Sequence, residues 1–279
     1  MVNRKDLNPE SSREAAFGAH LRSSRIARGW MQEELGRRMT YSGTHISAVE
    51  TGRKPPTLRF SKNADRVFEL EGASESFEQR YKEIRYGVLF DGFEEYVRLE
   101  GGAVEIRLFE VGTIPGPLQT REYVTAIEAG FVRRGTATQE QADERVEYLI
   151  RRQAALERPS PPTVIAVLDE SCIRQRVGGP EVMEAQLRHL VEFASRPHTI
   201  LHVSPFTAGE DRPFSRLVNV LTLPDQAMVS YVESQTHGHL DRDITSVRAL
   251  VRSYHQLQAG SLSQADSVEL INQVRKGIL

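Results

Sequence analysis

Cysteine is almost missing from this 279-residue sequence. Cys172 stands alone, which excludes an internal disulfide and any zinc cluster built on thiolates. Long apolar runs are missing too. No stretch approaches the roughly 18 residues that span a bilayer. The opening MVNRKDLNPESSREAAFG has no apolar segment of the kind a secretory signal needs. Familiar catalytic words are also lacking: there is no Gly-rich phosphate loop, no G-x-S-x-G and no H-E-x-x-H. The expectation is a soluble cytoplasmic protein that is not an enzyme, with no catalytic residue, no metal, no cofactor and no membrane partner.

What is present is ordinary globular material, 39% apolar and 27% charged, at a length that suits two domains. The net charge of −2 hides an asymmetry. Residues 13 to 66 hold eleven Lys/Arg against five Asp/Glu, a net of +6, which leaves −8 for the remainder. A small basic module fits a polyanion, because each Lys or Arg set on a phosphate releases a counterion. A solvated charged surface is the plainer account of the same count.

Residues 1 to 12 read as a polar arm. Short amphipathic helices come next: one with Phe17 and Leu21 inward, stopped by Gly29; one over 32–39; one over 43–50; and one carrying Leu58, Ala64, Val67 and Phe68. Residues 76 to 99 are helical and rich in aromatics, and are expected to be a connector packed on the second domain. Beyond 100, strands are predicted in VEIRLFEV, TVIAVLD, HTILHVSP, SRLVNVLTL and AMVSYVE. Helices are predicted over 138–157, 180–194, 241–257 and 263–274. The expected organisation is an all-α helix-turn-helix domain (1–75), a helical connector (76–99) and an α+β regulatory domain (100–279).

The segment QEELGRRMTYSGTHISAVETGRKPP carries the most information. Two short helices joined by a tight turn, with Leu35, Met39, Ile46 and Val49 apolar, have the layout of a DNA-binding helix-turn-helix. Leu35 and Ile46 must meet under the crossing so that the second helix projects. An ordinary helical hairpin would not need Gln32, the small turn residues or the basic loop after the second helix. Residues 21–56 resemble the Cro/cI-type (XRE-family) regulators through LRxxRxxxGW, QEEL, HIS and E-x-G-x-x-x-P in register. That resemblance implies a phosphate contact at Gln32, base reading from Gly43, Thr44 and Ala48, and a structural role for Glu50. The expected contacts with double-stranded DNA are Gln32, Ser42, Gly43, Thr44, His45, Ser47, Ala48, Arg53 and Lys54, with direct readout resting on Thr44, His45 and Ser47. Two departures from the family stand out. Met31 sits where a Ser/Thr helix cap is usual, and Thr40 sits where the turn usually has Gly.

The second half has its own words: IPGPLQT followed by EY, RRQAALERPSPP, LDES, VGGPEVMEAQLRHL, SPFTAGE and YVES. Over residues 100–275 they resemble the C-terminal domain of the WhiJ-like, antitoxin-like transcriptional regulators of actinomycetes. The resemblance implies a regulatory role and a small partner protein encoded nearby. The combined expectation is a sequence-specific transcriptional regulator whose second domain forms a homodimer and senses a partner protein or ligand. An antitoxin with autoregulatory DNA binding is the alternative, and a DNA-targeted enzyme a more distant one. Glu233, His237, His239, Asp241 and Asp243 have the types for a metal site, with a solvated polar loop as the plainer reading. Asp169 and Glu170 end a strand, where a helix cap is favoured over catalysis. Cys172 is expected to be buried, and Arg151, Arg152 and Gln153 to form salt bridges more readily than an anion site.

Overall fold

The computed structural model describes residues 12–73, 75–86, 92–154, 156–234 and 238–277. The chain divides into two compact units, Met1–Val88 and Leu89–Leu279. No helix among the described residues is long and apolar enough to cross a membrane.

The first unit is built of α1 (Arg13–Ala27), α2 (Gln32–Met39), α3 (Gly43–Glu50), α4 (Leu58–Phe68) and α5 (Phe77–Tyr86). Side-chain oxygens of Ser12, Ser42 and Thr57 accept from the amides of Ala15, His45 and Phe60, so α1, α3 and α4 start on good caps. α2 starts on Met31 with no side-chain cap and ends on Thr40 in the left-handed region, φ 64°. That conformation costs a β-branched residue roughly 1 kcal/mol. Helices of eight residues are marginal alone, and a shared core holds them. Phe17, Leu21, Leu35, Met39, Ile46 and Phe60 are essentially fully buried together, each contributing about 1.5–3 kcal/mol. Leu35 and Ile46 lie together in that core at zero exposure. Close helix approach needs small residues: a Cβ at Gly18 would stand 2.6 Å from the Val49 carbonyl oxygen, and one at Gly36 2.6 Å from that of Tyr41.

The stretch expected to be one connector is divided. Phe77 of α5 is fully buried in the first unit's core and meets Phe17 edge-on at 5.4 Å. The carboxylate of Asp65 accepts from the amides of Phe77 and Glu78 at 2.6 and 2.8 Å, anchoring the start of α5 to α4. The aromatic period does form helix, but which core it faces is set by Asp65, twelve residues upstream of Phe77. The next helix, α6 (Phe93–Glu100), places Tyr96 in the core of the second unit instead.

That unit continues with β1 (Glu105–Glu110), α7 (Arg121–Arg133), α8 (Gln139–Ala154), β2 (Thr163–Asp169), α9 (Glu170–Arg174), α10 (Pro180–Ala194) and β3 (Thr199–Ser204). β4 (Val218–Thr222), β5 (Met228–Glu233), β6 (Gly238–Asp241), α11 (Ile244–Ala259) and α12 (Gln264–Arg275) complete it. The strands form one six-stranded mixed sheet in the order β3-β2-β1-β4-β5-β6. β1, β2 and β3 pair in parallel, β4 pairs antiparallel with β1, and β5 and β6 follow β4 as an antiparallel meander. Alternation separates the faces: Ile106, Leu108, Ala166, Leu168 and Leu201 face one core with Leu187, Leu190 and Ile271. Phe109, Ile165, Val167 and Val220 face the other with Val247, Tyr254 and Leu257 of α11. This is an α+β domain with helices on both faces of its sheet. The five expected strands are β1 to β5. β6 was not expected, because GHLD has no alternating apolar pattern and owes its strand form to pairing with β5.

Candidate nucleic-acid interface

α3 sorts its residues by helical period. Ile46, Val49 and Glu50 are buried, and Thr44, Ser47, Ala48 and Thr51 lie three and four apart on the opposite side, with Thr44 exposed. Ser42 caps the helix and is itself exposed. After Thr51 the chain folds back: the amides of Arg53 and Lys54 both donate to the Ala48 carbonyl, at 2.9 and 3.1 Å. Both side chains are exposed, and Arg53 Nε donates to Thr51 Oγ1 at 2.9 Å. Thr44, Ser47 and Ala48 therefore share one outward face, with two cations placed at its C-terminal end.

Three of the expected residues occupy other environments. His45 does not project. Its ring stacks on Phe60 at 5.5 Å and meets Tyr41 at 4.6 Å, and Lys54 Nζ stands 3.5 Å from its Nδ1. Burial against those rings, and then Lys54, hold His45 below the usual histidine value, so the ring is neutral near pH 7. The sequence places His45 on α3 without placing the rings around it. A ring packed on the start of α4 is not visible without knowing where Phe60 lies. Gly43 is a spacer: a Cβ there would come within 3.2 Å of Glu33 backbone atoms, so its hydrogen lets α3 cross α2 closely. Gln32 is not directed freely outward, since its Nε2 donates to Glu50 Oε2 at 2.8 Å.

Glu50 is the anchor of the whole arrangement. It is completely buried, accepts from Arg25 Nε and Nη2 at 2.6 and 3.0 Å, and has Arg22 Nε at 3.6 Å. Arg25 also donates to the Trp30 carbonyl at 2.8 Å. One carboxylate thus ties α1, the start of α2 and the end of α3, which fixes the orientation of the outward face. Charge-assisted, two-pronged pairing of this kind is geometrically strict. Thr51 and Arg25 were not in the expected set. Thr51 was legible from the α3 period, whereas Arg25 needed the tertiary contact.

In the second unit, the sequence words turn out to be fastenings. Gln119 Nε2 donates to the Ile114 carbonyl at 2.7 Å, and the buried Gln186 accepts from the Thr120 amide at 2.7 Å while donating to the Leu118 carbonyl at 2.8 Å. Gln153 donates to the carbonyls of Gly116 and Gln119. IPGPLQT is therefore held from α8 and α10. Arg152 pairs in two-pronged fashion with the buried Glu100, at 2.5 and 2.8 Å, and Tyr96 donates to Glu100 at 2.8 Å. Asp169 caps α9 through the Ser171 amide and is held by Arg212. Glu170 pairs with Arg174 and accepts from the Phe206 amide. Cys172 is buried, its thiol pushed up by burial and then by Glu110.

Two of the residues that suggested a metal are engaged elsewhere. Asp243 caps α11 by accepting from Thr245 and Ser246, Asp241 accepts from the Asp243 amide, and His239 is exposed on β6. His237 lies outside the described residues. Among those described, no group of three His, Cys, Asp or Glu could hold a metal ion.

An all-helical unit with this crossing and outward face defines a helix-turn-helix protein, and residues 16–75 match the family described as helix-turn-helix domain. Residues 93–273, more than half of the chain, match a family described as a domain of unknown function, DUF5753, and the chain belongs to that family. Neither a curated protein nor a solved structure matches it.

Proposed function

We propose that this protein is a sequence-specific transcriptional regulator that reads double-stranded DNA with α3, as the XRE-like resemblance implies. The observation that supports it best is the outward face of Thr44, Ser47 and Ala48 with Arg53 and Lys54 beside it. Thr44 and Ser47 are short hydroxyl side chains able to meet base edges, Ala48 suits a thymine methyl, and the two cations suit phosphates. Gln32, held by Glu50, positions the face. The second unit is a binding domain that forms a homodimer and receives a ligand or small partner protein in the cytoplasm. A two-fold pair of heads is what a palindromic operator requires. Asp169 and Glu170 are committed to a cap and to ion pairs, and the Cys172 thiol donates to the Glu110 carbonyl, which supports a role in binding over one in catalysis.

Genome-wide mapping of bound sites, followed by titration of purified protein on the recovered sequence, tests this reading. Changing Arg53 and Lys54 together to Ala should weaken binding to every sequence and reduce the salt slope by about 2. Thr44→Ala should relax preference at one position by about 1–3 kcal/mol. Unchanged affinity and slope in the double variant would remove the assigned interface. Light scattering of the full chain should give the mass of a dimer; a monomer at micromolar concentration would overturn the pairing.

A further inference from the structure

Within the second unit, α9, the start of α10 and the end of α12 enclose a cavity of about 310 Å³. Part of its apolar lining is buried: Ile173, Met183 and Leu187 are exposed by no more than 6%. Three guanidinium groups, Arg174, Arg176 and Arg275, also line it, against one carboxylate, Glu184. Their commitments differ. Arg174 pairs with Glu170 at 2.6 Å. Arg275 is 3.7 Å from Glu184, which Arg188 shares at 3.6 Å. Arg176 is exposed and has no ion pair or hydrogen bond among the described residues.

The local sequence builds this mouth. Gly178 has φ 72°, and a Cβ on it would come within 2.8 Å of Val182 and 2.9 Å of Ala126; Gly179 follows at φ 90°. Only glycines turn the chain so tightly there, and Pro180 then opens α10. The reversal sets Arg176 at the mouth of the cavity that Arg275 also lines. Cations that share one cavity repel one another unless an anion joins them, and a concave pocket that combines apolar wall with a few charged groups is a usual form of small-ligand site.

We propose that this cavity binds an amphipathic anion, a phosphate or carboxylate head on a short apolar body. Arg176 and Arg275 take the head, in the two-pronged manner of guanidinium groups, and Ile173, Met183 and Leu187 take the body. The assignment rests on the reading of the second unit as a sensing domain and gives its ligand a chemical class.

Calorimetric titration of the full chain with octyl phosphate, octanoate, octylamine and inorganic phosphate tests it. Saturable binding of octyl phosphate or octanoate is expected, the tighter of the two identifying the head group, with inorganic phosphate weaker and octylamine silent. Arg176→Ala should weaken the bound anion about tenfold or more, and the exposed position leaves folding intact. Arg176→Lys should recover only part. Absence of saturable binding by both anions, equal binding of octylamine, or full affinity in Arg176→Ala would each overturn the assignment. DNA affinity measured with and without the bound anion keeps the two readings apart. Anion binding that leaves DNA affinity unchanged supports the cavity and overturns the sensing role. Intact DNA binding with no anion binding overturns the cavity alone.

Discussion

In the first unit Glu50 fastens Arg25 and Gln32 at the end of α3, and in the second Glu100 fastens Arg152 and Tyr96 at the end of α6. Both carboxylates are wholly buried. Around Glu50 the fastening leaves a face outside, with Thr44, Arg53 and Lys54 exposed. Around Glu100 it closes inward: Tyr96 stacks on the buried Tyr231 at 4.8 Å, and Arg152 lies over the rings of Phe93 and Tyr96. The same buried pair thus aims a surface in one unit and seals a core in the other. A small all-helical unit has few other means of fixing helix angles, whereas the sheet of the larger unit already supplies a frame.

The sharpest break of that comparison is removal of each carboxylate in turn. Glu50→Ala leaves the half-buried Arg25 without its carboxylate and should cost about 3 kcal/mol, abolishing DNA binding while the second unit keeps its own cooperative transition. Glu100→Ala should cost a similar amount in the second unit and leave the helix-turn-helix signal in place. Calorimetric unfolding of both variants, read beside DNA titrations, checks this. Simultaneous loss of both transitions in either variant would show that the units do not unfold separately.

A second contrast is in pH. Burial, with a further contribution from Glu233, raises the Glu110 carboxyl to about 8, against an ordinary 4.5. The folded state therefore holds a proton that the unfolded state releases. Glu110 costs nothing below pH 4.5, costs progressively more as pH rises towards 8, and no more beyond it. The slope between is at most about 1.4 kcal/mol per pH unit. Urea denaturation of wild type and Glu110→Gln from about pH 5 to 8.5 should show a flatter profile in the variant, confined to the second unit's transition. Parallel profiles would mean that Glu110 ionises freely.

The smallest effect expected is at the unusual start of α2. Met31 is 69% exposed and its backbone is already extended, φ −77°, ψ 161°, so Met31→Ser can cap α2 without losing a buried contact. A gain of about 1 kcal/mol is expected in the first transition alone. A lowered midpoint there would mean that the methionine side chain holds something its exposure does not show.

The bounds of α2 and α3 were readable because the helix-turn-helix is a local object. Thr40 is suspect from sequence alone and indeed adopts the left-handed conformation. β1 to β5 were readable from alternation, and β6 was not, since an edge strand of four residues takes its form from the neighbour it pairs with. Gln32 and Gly43 were expected contacts through the family resemblance, and His45 through its place at the start of α3. Their environments depend on Phe60, Glu33 and Glu50, which the sequence does not place beside them.

By itself, the sequence determined what is set within a turn or two of chain: helix starts at Ser12, Ser42 and Thr57, the glycine reversal before α10, the outward period of α3, and the split of charge between a basic and an acidic region. Only the tertiary structure decided which distant groups meet. Arg25 reaches Glu50 across 25 residues, Arg152 reaches Glu100 across 52, and Asp65 captures α5 for the first unit. Capping and periodicity act between near neighbours on the chain, whereas a buried charge takes whichever partner the packed core brings within hydrogen-bond reach.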